Sequence, residues 1–413
     1  MKKVLFTAAL LFGAFTVSAQ QSVVKEAKSL LKKNPAQGAQ VIEAALTNPE
    51  TASDPNTWQL AGDLQKAIYD GENEKIYLSQ AGQSAAPDME KMYNSLIKMF
   101  EYYIKCDNLE QEGLASGKTK KVKLRKKNAE ALYMVRPNLA NGGVEAFNKN
   151  DYANAQKFFG LYIDVIDEPI FTEQAAALKA DTLSALYANY ATMAAGMRDP
   201  KDKEAVIKYG NVGKVDNVEG WRALMFMADV YGNKEEGDSI KWLECIKEGA
   251  ERFPDQEYFV GNIMDYYLQR GMVDEGLAQI DKLLSVKKSG YYLYVKGVLL
   301  FEKKQYDACM ATMDELIAFG GDFEAEGHAK KGDCIFFPAQ DIVTENSNLS
   351  IDDPKYNENE AKIKDAFSKA QPYYEKAREL EPENKQIWGQ MLLRIYWTLN
   401  NPGYDALEKE LGY

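Results

Sequence analysis

The stretch SGYYLYVKGVLLFEKKQYDACMATMDELIAF, residues 289–319, reads as two short amphipathic helices joined by a tight turn at Lys304-Gln305-Tyr306-Asp307. Leu293, Gly297 and Leu300 fall on one face of the first helix, and Cys309, Met313 and Leu316 on one face of the second. One helical hairpin cannot bury its apolar face alone, so it predicts neighbours of the same kind.

The neighbours recur along the chain. Gly297 and Cys309 lie 12 residues apart, and so do Gly143 and Ala155, and Met264 and Gly276. A crossing of two helices needs at least one small side chain where the axes approach, which explains the recurring interval. First-helix markers at Gly143, Ala191, Ala228, Met264, Gly297 and Gly332 are separated by 48, 37, 36, 33 and 35 residues. The first gap holds extra residues around 167–177. The others lie close to about 34, the period of one helix-turn-helix repeat.

The first 19 residues, MKKVLFTAALLFGAFTVSA, predict a secretory signal. Lys2 and Lys3 form its basic start, Val4–Phe15 its apolar core, and Val17-Ser18-Ala19 its cleavage site, ahead of Gln20. The apolar run is too short to span a bilayer. The first cysteine is Cys106, so no cysteine stands at the cleavage site to carry a lipid. Without Lys2 and Lys3, 48 basic residues face 62 acidic ones, a formal charge of −14. That balance argues against general nucleic-acid binding. Cys106, Cys245, Cys309 and Cys334 match neither a disulfide framework nor a metal motif, and buried core thiols are the favoured reading. Cys309 with Cys334 is the one pairing that adjacent helices could allow.

Taken in order, residues 20–116 predict N-terminal helical hairpins. Asn34-Pro35 starts one helix, Trp58-x2-Ala61-Gly62 marks another, and Asp88 caps a long amphipathic segment to Asn108. Residues 117–128 carry the run KTKKVKLRKK and read as a basic connector. From 129 to 413 the repeat is explicit, interrupted by a polar, turn-rich stretch at 338–360 that reads as an inserted loop. Ala370-x3-Tyr374-x2-Ala377-x4-Pro382 follows, then Trp388, and a polar helix at 404–411 closes the stack as a cap.

The pattern W-x2-L-G-x2-Y, then A-x3-F, then P, as approximated at 139–162, 224–231 and 370–382, resembles the tetratricopeptide repeat (TPR). Lys296 stands where Leu is usual, and Met264 and Leu392 where Gly or Ala is usual. With the leader, the chain resembles exported TPR proteins of Gram-negative bacteria. The resemblance implies an all-α solenoid, a right-handed superhelix whose concave groove is lined mainly by first helices. It also implies a non-enzymatic adaptor that binds a peptide or protein in that groove.

Candidate groove residues lie off the packing face: Tyr258, Tyr291, Tyr294, Phe301, Tyr396 and Trp397, with Phe147, Asn148, Asp265 and Gln269 beside them. Tyrosine offers broad contact area with a polar tip, although TPR cores are themselves rich in it. Lys120, Lys121, Arg125 and Lys126 are a candidate docking patch for an acidic protein or lipid head group, against a solvated connector. Asp341, Glu345, Asp352, Asp353, Glu358 and Glu360 lack Ca²⁺-loop spacing, and His328 is the only histidine. No metal, cofactor or catalytic set is expected, and no membrane span. A glycan-binding protein of the starch-utilisation type is the alternative, through aromatic platforms. The expected compartment is the periplasm, with the cell surface or secretion as the other destinations.

Overall fold

The computed structural model describes residues 21–84, 86–233 and 237–413. The leader reading for 1–19 lies outside them. Among the described residues there is no strand, and the chain is all-α, built of antiparallel helical pairs. It divides into two units, one reaching Gly237 and the other running from Asp238 to Tyr413.

The first unit holds α1 (21–30), α2 (Pro35–Thr47), α3 (Pro49–Ala52), α4 (Pro55–Gln80) and α5 (Met89–Ala115). It continues with α6 (Arg125–Val135), α7 (Pro137–Asn148), α8 (Tyr152–Asp164), α9 (Ala175–Lys179), α10 (Ser184–Met197), α11 (Lys203–Gly213) and α12 (Gly220–Tyr231). The second unit holds α13 (Ser239–Arg252), α14 (Glu257–Gln269), α15 (Val273–Val286), α16 (Gly290–Glu302) and α17 (Tyr306–Phe319). It ends with α18 (Glu324–Asn346), α19 (Pro354–Leu380), α20 (Lys385–Thr398) and α21 (Tyr404–Leu411). Within it α14, α16, α18 and α20 are neighbours, so the first helices of successive hairpins line up side by side.

Helix starts follow local chemistry. The side chains of Asn34, Asn48, Asp54, Asp88, Asp151, Asp202 and Asp353 accept hydrogen bonds from amides in the first turns they cap. Proline follows directly at 35, 49, 55 and 354, where its fixed φ suits a helix start.

Hairpin turns share one backbone device. Asn150, Gly271, Lys304 and Asn400 have φ of 59°, 66°, 57° and 51°. Each donates its N–H to the carbonyl three residues back. The next amide reaches five back: Asp151 to Ala146, Met272 to Tyr267, Gln305 to Leu300 and Asn401 to Tyr396. This left-handed cap satisfies carbonyls at the end of the first helix and reverses the chain.

The helices of a pair meet at small residues, as the 12-residue interval predicts, but the deepest contact falls one turn beyond it. Phe159 follows Ala155 by four and its ring covers Gly143; Met313 follows Cys309 by four and covers Gly297. A Cβ on Gly143 would lie 2.6 Å from the Phe159 ring, and one on Gly62 only 2.3 Å from Tyr103. Tyr374 covers Gly332 in the same way. The repeat is therefore closed by a glycine on one helix receiving a large side chain from the next.

Two expectations are corrected. Residues 338–360 are not a loop: α18 runs on to Asn346 and α19 begins at Pro354, leaving only 347–353 between them. Pro338 sits inside α18. Ala339 is buried, and Ile342 and Val343 pack against the core of Phe367, Tyr374 and Trp388, so helical spacing persists beneath the polar face. The basic connector is also shorter than 117–128, because α6 starts at Arg125. The segment before it is held from below: the buried Glu110 carboxylate accepts the amides of Lys123 (3.1 Å) and Leu124 (2.9 Å).

A second buried acid, Glu72, joins α4 to α5. It accepts Lys75 Nζ at 2.8 Å, Lys91 Nζ at 2.9 Å and the Asp88 amide at 3.0 Å. Burial opposes its charge, but the Lys75 ammonium, the Asp88 amide and the Lys91 ammonium outweigh it and hold the carboxyl down to about 2. A depressed folded value means that this stabilisation is present above the ordinary 4.5 and is lost as pH falls toward 2. Urea unfolding through that window should show falling stability in the native chain and a flatter profile in Glu72→Gln.

The glycines give a paired prediction. Gly143→Ala forces the Phe159 ring to move and should cost about 1–2 kcal/mol net of the helix-propensity gain. Gly71, on an open face of α4 with nothing within 4 Å, should gain about 0.5–1 kcal/mol as alanine. Chemical denaturation of the two variants checks the opposite signs.

Candidate functional site

Three of the predicted groove residues come together in the second unit. Tyr291, Tyr294 and Phe301 stand on α16 at helical spacing, beside Phe323 at the start of α18 and Phe337 within it. The Phe323 ring lies 5.8 Å from Tyr294, stacked, and 5.5 Å from Tyr291. Phe301 meets Phe337 edge-on at 5.7 Å and Tyr306 at 5.6 Å. Lys330 Nζ sits 4.8 Å over the Phe301 ring and 2.8 Å from Asp333 Oδ2. Asp333 Oδ1 in turn accepts the Tyr374 hydroxyl at 2.7 Å. The result is a face of five rings with one cation set among them.

The electrostatics of this face are legible. Burial pushes the Tyr291 hydroxyl up, with Glu257 and Asp265 adding to it. Burial also pushes Tyr294 up, against the nearby Lys330 charge. Burial opposes the Lys330 ammonium, but Asp333 more than compensates and keeps it protonated. Tyr294 and Phe301 also pack onto the core of Leu293, Leu300, Cys309, Met313 and Leu316, so the rings are held from beneath rather than swinging free. Phe337 is 41% exposed and Tyr291, Tyr294, Phe301 and Phe323 are half-buried. Such rings lose little conformational entropy on contact, which suits them to packing against apolar side chains.

The other predicted residues separate. Tyr258 lies on α14 with its ring edge-on to Phe259 at 5.2 Å, and Asp265 and Gln269 are exposed on the same helix. An added Cβ on Gly261 would come within 3.1 Å of the Tyr291 hydroxyl, which places α14 against the edge of the aromatic face. Phe147 and Asn148 belong to α7 of the first unit, where Phe147 packs on Tyr152 at 5.3 Å. Tyr396 is corrected from groove to core: it is buried with Trp388 and Leu392, and its hydroxyl donates to Glu375 at 2.8 Å. Its neighbour Trp397 points outward, 58% exposed, beneath the Arg394 guanidinium at 4.8 Å.

The basic run divides in a similar way. Lys120, Lys121 and Lys126 are exposed. Arg125 instead grips the buried Asp107, with Nε and Nη2 each 2.8 Å from a carboxylate oxygen. That bidentate pair fixes the start of α6 and withdraws Arg125 from a docking patch. His328 lies half-buried on α18, and burial pushes its imidazole toward the neutral form. Among the described residues no group of His, Cys, Asp or Glu has metal-ligand geometry, and no helix is long and apolar enough to cross a membrane.

One feature escaped sequence reading. In the first unit a cavity of about 470 Å³ opens between α6, α8 and α10, lined by Tyr133, Met134, Arg136, Tyr162, Asp181 and Tyr187 among others. Its polar floor is internally satisfied. Arg136 donates to the Tyr162 carbonyl at 3.0 and 3.1 Å and to Asp181 at 2.8 Å, stacks 3.6 Å over the Tyr162 ring, and Tyr162 donates its hydroxyl to Asp181 at 2.6 Å. The insertion that stretches the first repeat interval to 48 residues builds the far wall through Ala177, Leu178, Asp181 and Leu183. That interval was the available signal.

Comparison with known proteins adds little beyond this. No known family profile matches the sequence, and no curated protein matches it. Among solved structures, the chain is similar to the TPR domain of P58(IPK), at 12% identity and TM-score 0.29, covering 92% of this chain and 98% of that one. It is similar to yeast Tom70 at 11% identity and TM-score 0.29, covering 95% and 91%. It is also similar to a chain of the Naa15/Naa10 complex bound to HypK-THB, at 13% and TM-score 0.29, covering 95% and 64%. Scores this low carry no argument, so the fold rests on the helix pairs described above.

The split between Tyr396 and Trp397 is open to measurement. Tyr396→Ala should cost about 3–5 kcal/mol by emptying a core site. Trp397→Ala should stay within about 1 kcal/mol, since its ring is mostly in water. Equilibrium unfolding in urea compares the two.

Proposed function

We propose that this protein is a non-enzymatic interaction scaffold of the bacterial cell envelope, which seats a peptide or protein partner on the aromatic face of α16 and α18. The observation that carries the reading is that face: Tyr291, Tyr294, Phe301, Phe323 and Phe337 presented by adjacent first helices, with Lys330 charged between them. Tyrosine and phenylalanine rings held from beneath are residue types enriched at protein interfaces. From α14, Gly261 lies against the Tyr291 hydroxyl and Asp265 is near enough to raise it. Export rests on the leader pattern of 1–19, and the periplasm is the preferred compartment.

A photo-crosslinking residue at Phe337, compared with one at Glu315 on the second helix α17, tests the face in living cells. A protein adduct at 337 that is absent at 315, and that falls at least about tenfold in Tyr294→Ala, is the expected result. Equal labelling at both positions, or none above background, overturns groove binding. Retention on a glycan array in place of a protein adduct would favour the starch-utilisation reading. Fractionation of the same cells scores the compartment separately.

A further inference from the structure

We propose that Cys309 and Cys334 are a disulfide site that staples α17 to α18 beneath the aromatic face. Both lie in one apolar cluster with Leu293, Leu300, Met313 and Leu316. Gly321 turns the chain between the two helices with φ of 95°. Cys309 lies 12 residues before it (321 − 309) and Cys334 lies 13 after it (334 − 321), so an antiparallel pair brings the two level. Cys309 Sγ donates to the Gly297 carbonyl at 3.2 Å, and each of the two thiols is close enough to be the leading influence on the other's proton affinity. Neither of the other two cysteines belongs to this cluster, and all four are thiols here.

One of the two cysteines starts the exchange as its thiolate. That thiolate attacks a small dialkyl disulfide such as glutathione disulfide, forming a mixed disulfide and expelling one thiolate. The other cysteine then loses its proton and attacks the mixed-disulfide sulfur of the first, expelling the second small thiolate. Two protein thiols and one oxidant disulfide become one protein disulfide and two small thiols, with both protons carried off by the leaving thiolates. Cys309 is fully buried and Cys334 is 4% exposed, so the exchange proceeds as the α17–α18 hairpin closes during folding or opens transiently.

The test uses the purified full chain and does not depend on the compartment or on any partner. The chain is refolded with glutathione disulfide and glutathione, quenched by alkylation and mapped without reduction. The expected product is a cross-linked peptide joining Cys309 to Cys334, lighter by two hydrogen atoms than the sum of its parts, with Cys106 and Cys245 alkylated. The thermal midpoint of that product should fall by roughly 5–10 °C on reduction. Cys334→Ala should abolish the reductant effect, and Cys106→Ala should leave it intact. Alkylated Cys309 and Cys334 under conditions that oxidise a control dithiol, or cross-links scattered among all four cysteines, overturn the proposal.

Discussion

The close approach of a bare backbone to a large side chain is what the rest of this structure depends on. Gly62 under Tyr103, Gly143 under Phe159, Gly297 under Met313 and Gly332 under Tyr374 are four versions of one contact. Each lets two helix axes draw together at the point of crossing and gives the second helix a socket rather than a flat neighbour. Because the socket accepts a ring or a thioether, the sequence between contacts can drift widely while the pair stays in register. Helix length drifts too: α4 and α5 are nearly twice as long as α16 and α17, yet cross by the same rule.

Buried carboxylates work beside these glycine sockets in the first unit. Asp107, Glu110 and Glu72 are nearly covered, and each spends its oxygens on loop amides or on cations from a neighbouring segment. They cluster in the first unit, where the repeat pattern is weakest. Arg136 and Asp181 serve similarly around the inserted segment, tying α7 to the chain after α9. An acid enclosed with its partners is costly to orphan, so these ties specify loop paths that apolar contacts alone would leave degenerate.

Much of this was legible in the residues. The 12-residue interval and the near-34 period predicted helical pairs because small residues must recur where helices cross, and the structure has those pairs. The helix start at Pro35 and the cap at Asp88 were equally plain, since both act on backbone only a few positions away. What failed was any judgement that needed the far side of a helix. Residues 338–360 looked like a loop because their polar face dominates the composition, while Ala339, Ile342 and Val343 kept helical spacing underneath. Tyr396 and Trp397 are adjacent and chemically alike, and only the position of α19 decides which of them is covered. Phe323 and Phe337 were passed over because they join the face through α18, whose alignment with α16 is a tertiary fact.

The left-handed turns carry a further consequence. Gly271 and Lys304 hold the same backbone conformation with the same pair of reaching amides, and they lie 33 residues apart (304 − 271). Everything between them is one second helix followed by one first helix. The chain therefore enters and leaves this section through the same backbone conformation and the same two hydrogen bonds. Viewed this way the chain is a length of track with standard couplings, which can gain or lose a section between couplings while every remaining section keeps its gauge.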